Sequence, residues 1–535
     1  MPDRALGEHL SGQTTYQAQI GFDKKNQFFV SLQSELQGLA LHLPKPLNKT
    51  AEQSLPFRLQ WQALNKKQHQ LTAQIDERLK LRLIENPQKT PFFSRGSLAW
   101  RQPLRDLPLQ GMTVDLRHKE LDLEAWQALM RQFNQSESDE SNTIFPDLVR
   151  LRLKADKGQL WGAQLNQLTY TLQQPKAQHW RADISSEQVA GTIHWREDQQ
   201  GRIQGEVQAA LQRLHWQRQP SQTENSETTA ELSAVAGAEE PKATLPESFT
   251  LRLPDVRLSI DDLRIDTWRL GRLELHGQVK EQPDVWHIPA LHLTTPSGGL
   301  HATGTWRLAG AQRGLGLSVQ IQSDQVGDML NFIGVEDMLK QGAGSAQAQI
   351  QWDHFPWQTG LQQLRADVDL SVHHGRINQI NSRAAKMLEL LSLQSLSRLS
   401  KLDFDVRGLA QDGFPFDDIK GRLRLSNQTL STDNLRVIGP AGTIMLEGNT
   451  NMKTELLDMS AVVVPNVDMS GAAIAAGIAL NPVVGIGAFL TQLLFKAPLA
   501  KAMTVQYQVT GPWDKLQTEE VKLSPQEPSE PQAFN

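Results

Sequence analysis

Apolar residues fall at every second position through most of this chain, as in Phe57, Leu59 and Trp61, then Leu79, Leu81 and Leu83, then Leu251, Leu253, Val256, Leu258 and Ile260. That period belongs to β-strands with one apolar face and one wet face. The alternate positions carry Gln, Arg, Asp, Glu and Lys, and short turns with Gly, Pro or Asn join strand to strand, which is the pattern of antiparallel meanders. Four stretches break the period and predict helices: 120–133 (ELDLEAWQALMRQF), 323–341 (SDQVGDMLNFIGVEDMLKQ), 382–401 (SRAAKMLELLSLQSLSRLSK) and 471–495. The expected fold is therefore mostly β, with a few short helices.

The units GSLAW ending at Trp100, GTIHW ending at Trp195 and GTW ending at Trp306 each close a strand pair, about one hundred residues apart. A weaker copy, GSAQAQIQW, ends at Trp352. Two readings fit: an internal repeat, or the ordinary recurrence of Gly and Trp at the turns of an all-β protein. Residues 217–248, rich in Glu, Ser, Thr and Ala, predict a disordered acidic linker between strand regions at 1–216 and 249–468. QSESDESN at 135–142 is a shorter insertion of that kind, 496–522 reads as a closing strand, and 523–535 as a solvated tail.

A sheet with one apolar face must cover that face. Helices are too few here, leaving a sandwich, a closed barrel, or a long sheet that curls on itself with its apolar side chains inside. A transmembrane barrel fits poorly, because the polar faces are heavily charged, the strands are Pro-punctuated and aromatic girdles are absent.

Charge and composition narrow the chemistry. The formal net charge is -5, and no basic run interleaved with aromatics suggests a nucleic-acid partner. The chain has no cysteine, which excludes disulfides, thiolate metal sites and a cysteine nucleophile. His373 and His374, adjacent on a predicted strand, point to opposite faces and cannot share a metal. Asp417 and Asp418 invite a paired-carboxylate reading, but at a strand start they are expected to be solvated. No nucleophile elbow, zinc-binding helix, phosphate loop or dinucleotide fingerprint is present. The expectation is a protein that is not an enzyme and needs no metal or cofactor.

Three stretches carry a resemblance: 323–352 (SDQVGDMLNFIGVEDMLKQGAGSAQAQIQW), LRADVDLSVHHGRINQINSRAAKMLELLSLQSLSRL from Leu364, and KLDFDVRGLAQDGFPFDDIKGRLRLSNQTLSTDNLRVIGPAGTIMLEGN from Lys401. They resemble the carboxy-terminal region of the YhdP branch of the AsmA-like family, and GLALHLPKPLNKT and LDLEAWQAL are similar to shorter family stretches. The resemblance implies an elongated, curled antiparallel sheet of repeated meanders, a repeating β-groove, exposed in the periplasm of a Gram-negative envelope. It also implies movement of glycerophospholipids between inner and outer membranes. Groove-lining candidates are Leu251, Leu253, Leu258, Ile260, Leu273, Leu275, Leu291, Leu293, Trp306, Leu317, Val319 and Ile321. The alternative is a structural or scaffold protein whose apolar faces pack as a dry sandwich.

Members of that branch are longer and begin with an inner-membrane helix. MPDRALGEHLSGQTTYQ has neither the basic nor the apolar segment of a signal peptide. The expectation is a carboxy-terminal part of a split or truncated protein, with an upstream chain as the partner that carries the anchor. At the other end, 469–495 has no charge and is long enough to span a bilayer, yet Asn481-Pro482 at its centre favours two short helices. This predicts a hydrophobic helical hairpin that caps the groove or enters a membrane, with Ile474, Ile478, Leu480, Pro482, Val484, Phe489, Leu490, Leu493, Leu494 and Phe495 as its apolar contacts.

Overall fold

A computed structural model describes residues 9–22, 27–65, 68–85, 91–126, 129, 145–160, 163–198, 202–217, 253–280, 284–310, 313–335, 337–353, 363–377, 414–440, 442–465, 485–490, 504–513 and 515–521. The linker at 217–248, the insertion at 135–142, the helix at 382–401 and the tail at 523–535 lie outside these residues, apart from Gln217. The chain divides into two compact units, residues 1–236 with 257–266, and residues 237–256 with 267–535.

In the first unit twelve strands pair in chain order: Gln17–Phe22, Phe28–Ser34, Phe57–Asn65, Gln68–Ile75, Leu79–Glu85, Phe93–Trp100, Gly111–Asp122, Leu148–Leu160, Ala163–Lys176, His179–Ser185, Val189–Glu197 and Ile203–Trp216. The alternation forces side chains of one parity onto one face, and the register keeps them in step. A single row runs Ala18, Leu32, Leu59, Ala73, Leu81, Leu98, Val114, Leu151, Leu172, Ala182, Ile193 and Ala209, apolar on every strand.

The sheet is not wholly antiparallel, as the alternation alone suggested. Gly111–Asp122 runs parallel to both of its neighbours. Parallel neighbours need a connection that returns the chain to the same end of the sheet. Residues 101–110 make one return along the polar face, where the Arg105 guanidinium pairs with the nearly buried Asp115 carboxylate at 3.0 Å. The second return begins in helical conformation at 123–126, and residues 120–122 extend the preceding strand; of the rest of the helix expected over 120–133 only residue 129, also helical, is among the described residues. Trp126 packs on the apolar face with Leu116, Leu121 and Leu153, and its indole N–H donates to the Lys45 carbonyl at 3.0 Å. Lys45 lies in the excursion 35–56, which the buried Lys49 ammonium ties together by donating to the carbonyls of Leu36, Leu39 and Thr50.

The second unit pairs Trp268–Val279, Val285–Thr295, Gly298–Arg307, Gly314–Ser323, Leu339–Trp352, Leu364–Ile377, Phe414–Ser426, Thr429–Gly439, Gly442–Asn451, Leu456–Pro465, Val505–Pro512 and Gln517–Val521, antiparallel throughout. The region 496–522 thus supplies two strands rather than one. Among the described residues the meander is interrupted by a helical turn at 486–490 and by the helix α1 (Val326–Ile333), in place of the longer helix expected over 323–341. Gly334 ends it in the left-handed conformation (φ +104°), with its own N–H bonded to the Asn331 carbonyl and the Val335 N–H to Leu330. A glycine at that position closes a helix at no steric cost, and Leu339 onward is free to join the sheet.

The Trp repeat acquires a geometric meaning. Trp180 faces Trp195 with ring centroids 6.1 Å apart, and Trp286 faces Trp306 at 6.2 Å, each pair across neighbouring antiparallel strands.

Candidate functional site: an apolar furrow

In the second unit the central row reads Leu275, Leu291, Ala302, Val319, Ala348, Val368 and Leu423, each directly opposite the next. One step toward one strand end lie Leu273, Leu293, Leu300, Ile321, Ala346 and Leu370; one step the other way lie Ile288, Gly304, Leu317, Ile350, Ala366 and Leu425. The opposite face over the same strands reads Glu274, His292, His301, Gln320, Gln347, Asp369 and Arg422, a fully polar row. Arg422 grips Asp369 through two nitrogens at 2.9 and 3.2 Å, which raises the guanidinium pKa above its usual value.

Exposure separates a furrow from a sealed core. Small residues form the floor, with Ala302 at 0%, Val319 at 4% and Ala348 at 5% exposed. The larger side chains around them, Leu291, Leu300, Leu317, Ile321, Ile350 and Val368, remain only half-buried. In the first unit Leu32, Leu59, Leu81, Leu98, Val114, Leu151, Leu172 and Ile193 are also half-buried. Leucines sandwiched between two sheets would be buried. Apart from the short antiparallel pair Leu10–Gly12 and Leu39–Leu41, the described strands belong to the meanders themselves, and with their rows half-exposed each unit presents a long apolar face that is partly open. At about 4.8 Å per strand the first unit's row is ~50 Å long and the second's ~30 Å.

The furrow closes toward the last strands. Phe416, Val437, Ile444, Leu446, Ala461, Val463, Val505, Tyr507 and Val509 continue the apolar face, and all are 7% exposed or less. On the other side of these strands Met445, Val462 and Val464 are buried as well, so both faces are covered there.

Nine of the sequence-derived groove candidates share the furrow face: Leu275, Leu291 and Val319 in the central row, Leu273, Leu293 and Ile321 in the second, Leu317 in the third, and Trp306 beside Trp286 at the strand ends, with Leu253 packed near them. Leu258 and Ile260 sit on the strand Asp255–Ile265, Ile260 fully buried; Leu251 lies outside the described residues. The groove candidates read from the sequence left out Ala302, Ala348 and the first unit's row, although the alternation places Leu59 and Leu81 of that row on an apolar face. The alternation in AQAQIQW held the signal, had alanine been counted as apolar.

Of the hairpin candidates only Phe489 and Leu490 are described; Ile474, Ile478, Leu480, Pro482, Val484, Leu493, Leu494 and Phe495 lie outside. Phe489 is 0% exposed, in a helical turn at 486–490 whose first amide, Ile486 N–H, donates to Glu447 Oε2 at 3.3 Å. Glu447 shares its parity with Met445, not with the furrow-facing Ile444 and Leu446, so this turn stands against the outer side of the sheet. Among the described residues no helix is long and apolar enough to cross a membrane.

The chemistry set aside in the sequence has a structural place. His373 Nδ1 donates to Asp418 Oδ1 at 2.6 Å, and the Lys420 ammonium lies 3.1 Å from the same oxygen. Burial pushes the Asp418 pKa up, and the hydrogen bonds from Lys420 and His373 outweigh it, so the carboxyl stays below its ordinary value. Asp418 is thus a paired carboxylate on the polar face, more constrained than the solvated group expected. Among the described residues no cluster of His, Asp and Glu could hold a metal ion.

These rows define a class: meandering β-sheets that carry a continuous, half-open apolar face, a repeating β-groove. The chain belongs to the YhdP protein family, whose sequence profile matches residues 2–517. It is similar to the intermembrane phospholipid transporter YhdP of Escherichia coli (strain K12), with 24% identity over 530 residues, covering 97% of this chain and 40% of that protein. The chain therefore spans about two fifths of the length of this curated relative. No solved structure matches it.

Proposed function

We propose that this chain is a lipid-conduit segment of an envelope protein, carrying glycerophospholipids between inner and outer membrane along its apolar furrow. The half-open row of aligned apolar side chains carries the reading; the similarity to a phospholipid transporter supports the choice of cargo. Acyl chains laid on such a face are withdrawn from water at about 0.8 kcal/mol per methylene. The face is about as apolar as lipid tails, so moving a chain from bilayer to furrow is near neutral while the aqueous barrier is removed. The headgroup rides at the open edge, because burying an unpaired phosphate costs more than the tails gain. Little headgroup selectivity follows, and direction must come from a gradient or a partner at one end.

The reading assigns no catalytic role to the chain and places it in the periplasm of a Gram-negative cell. It works there with membrane at the carboxy-terminal end and delivers to the outer membrane. The alternative, a dry scaffold, has local support in the sealed last strands and none along the half-exposed rows. Native mass spectrometry of the purified chain separates the two. Several phospholipids bound per chain are expected, and a lipid-free particle would overturn the conduit.

A further inference from the structure

α1 is seated on the apolar side of the sheet and stands on two strands that are not neighbours. At its start, Val326 Cγ2 lies 3.0 Å from where a Cβ on Gly344 would be, and a Cβ on Gly327 would come within 2.5 Å of the Leu339 carbonyl oxygen. At its end, Phe332 Cε1 lies 3.5 Å from where a Cβ on Gly271 would be. Gly344 alternates with Ala346 and Ala348, and through Ser323 it is in line with Gly298, so this foothold faces the furrow at the strand ends, two rows from Ala302, Val319 and Ala348; Gly271 stands at the corresponding end of the strand that carries Leu273 and Leu275. Three strands, Val285–Thr295, Gly298–Arg307 and Gly314–Ser323, lie between the footholds in the ladder.

The footholds bury only Val326 and Gly327. Met329, Leu330, Phe332 and Ile333 project over an arc wider than the two contacts need, and they stay half-buried, whereas Asp328 and Asn331 on the far side of the helix are exposed. A short amphipathic helix anchored at both ends, with its apolar arc turned to a furrow, matches a hydrocarbon surface beneath it and water above.

Resting on the conduit reading, we propose that α1 is a strap along one margin of the furrow, and that Phe332, with Met329 and Ile333, holds the acyl chains against the row next to its footholds, Leu293, Leu300, Ile321 and Ala346. Phe332 is then a positioning residue for transport: it touches the tails and leaves the headgroup to the open edge.

Photo-crosslinking in the full chain tests this. Phe332→p-benzoylphenylalanine is compared with Val319→p-benzoylphenylalanine on the floor and Gln320→p-benzoylphenylalanine on the polar face, each incubated with phosphatidylethanolamine–phosphatidylglycerol vesicles and irradiated. Phospholipid adducts at positions 332 and 319, and none at 320, are expected. Adducts at 319 without any at 332 would sink the strap and leave the conduit standing, whereas none at either position would count against both. Phe332→Ala is expected to speed loss of bound phospholipid to acceptor vesicles several-fold, with Asn331→Ala as the unaffected control. Equal exchange in the two variants would overturn the positioning role.

Discussion

Trp286 stands directly opposite Trp306 on the neighbouring strand, the two rings meeting edge to face at 67°. Trp286 is 4% exposed, and its indole N–H donates to the Pro254 carbonyl at 2.9 Å, tying residue 254 to the sheet. Gly277 makes room for the ring, since a Cβ there would stand 2.0 Å from Trp286 Cζ2. Trp286→Ala is therefore expected to lower the stability of this unit by about 3–5 kcal/mol. Gly277→Ala, which adds a single methyl group, should cost ~1–3 kcal/mol through overpacking. Urea unfolding followed by circular dichroism reads both, and an unaltered midpoint for Gly277→Ala would contradict the packing described.

The furrow floor offers a test of function with little effect on fold. Ala348 is 5% exposed, in a floor cluster against which the half-buried Leu317, Ile321, Ile350 and Val368 pack. Ala348→Phe is expected to reduce co-purified phospholipid several-fold while the β-sheet spectrum persists. Gln349→Phe, on the polar face of the same strand, should leave the lipid content unchanged. Equal lipid in both variants would show that tails do not lie on this floor.

Much of this architecture is legible in the sequence, and its omissions have physical causes. Period-two alternation reports which side chains share a face, so residues such as Leu291 and Val319 could be placed together before any coordinates. Whether that face is covered depends on contacts far along the chain, and alternation is the same for a dry sandwich and an open furrow. The helix expected over 323–341 ends early because the apolar residues after Gly334 lead into the next strand, and the one expected from 120 starts late because residues 120–122 belong to the preceding strand. The parallel pairing at Gly111–Asp122 was invisible, since strand direction is set by where 101–110 crosses, and the Arg105–Asp115 pair that holds that crossing joins residues ten apart with no local pattern.

The contrast between the open and sealed stretches should appear in matched leucine truncations. Leu446 is 3% exposed within the closed end, and Leu317 is half-buried in the furrow. Leu446→Ala is expected to cost about 2–5 kcal/mol, as a cavity in a packed core does. Leu317→Ala should cost roughly half as much or less, because part of its surface already meets solvent or lipid. Denaturation of both variants in detergent-free buffer checks the ranking, and a larger loss for Leu317→Ala would mean that the furrow is a closed core.

Acid should loosen the polar face before it touches the furrow. Hydrogen bonds from Arg181 hold the Asp183 carboxyl below its ordinary value of 3.8, against an opposing effect of burial and with help from the Thr192 hydroxyl at 2.8 Å. At Asp262 burial acts first and upward, and the hydrogen bonds from Arg264 and His215 overcome it; Asp418 follows the same pattern with Lys420 and His373. A carboxyl whose folded pKa lies below its unfolded one binds fewer protons when folded, so its stabilising effect is full above the unfolded value and is lost as pH falls through the folded one. All three shifts have that sign, so stability should hold at neutral pH and decline below about 4. Asp183→Asn is expected to lower stability at pH 7 and to flatten the acid limb, because the group that releases a proton on folding is gone. The measurement is the urea midpoint at a series of pH values from 7 down to about 3. An acid limb of the same steepness in Asp183→Asn as in the unaltered chain would show that the Arg181–Asp183 pair is not among the groups that set it.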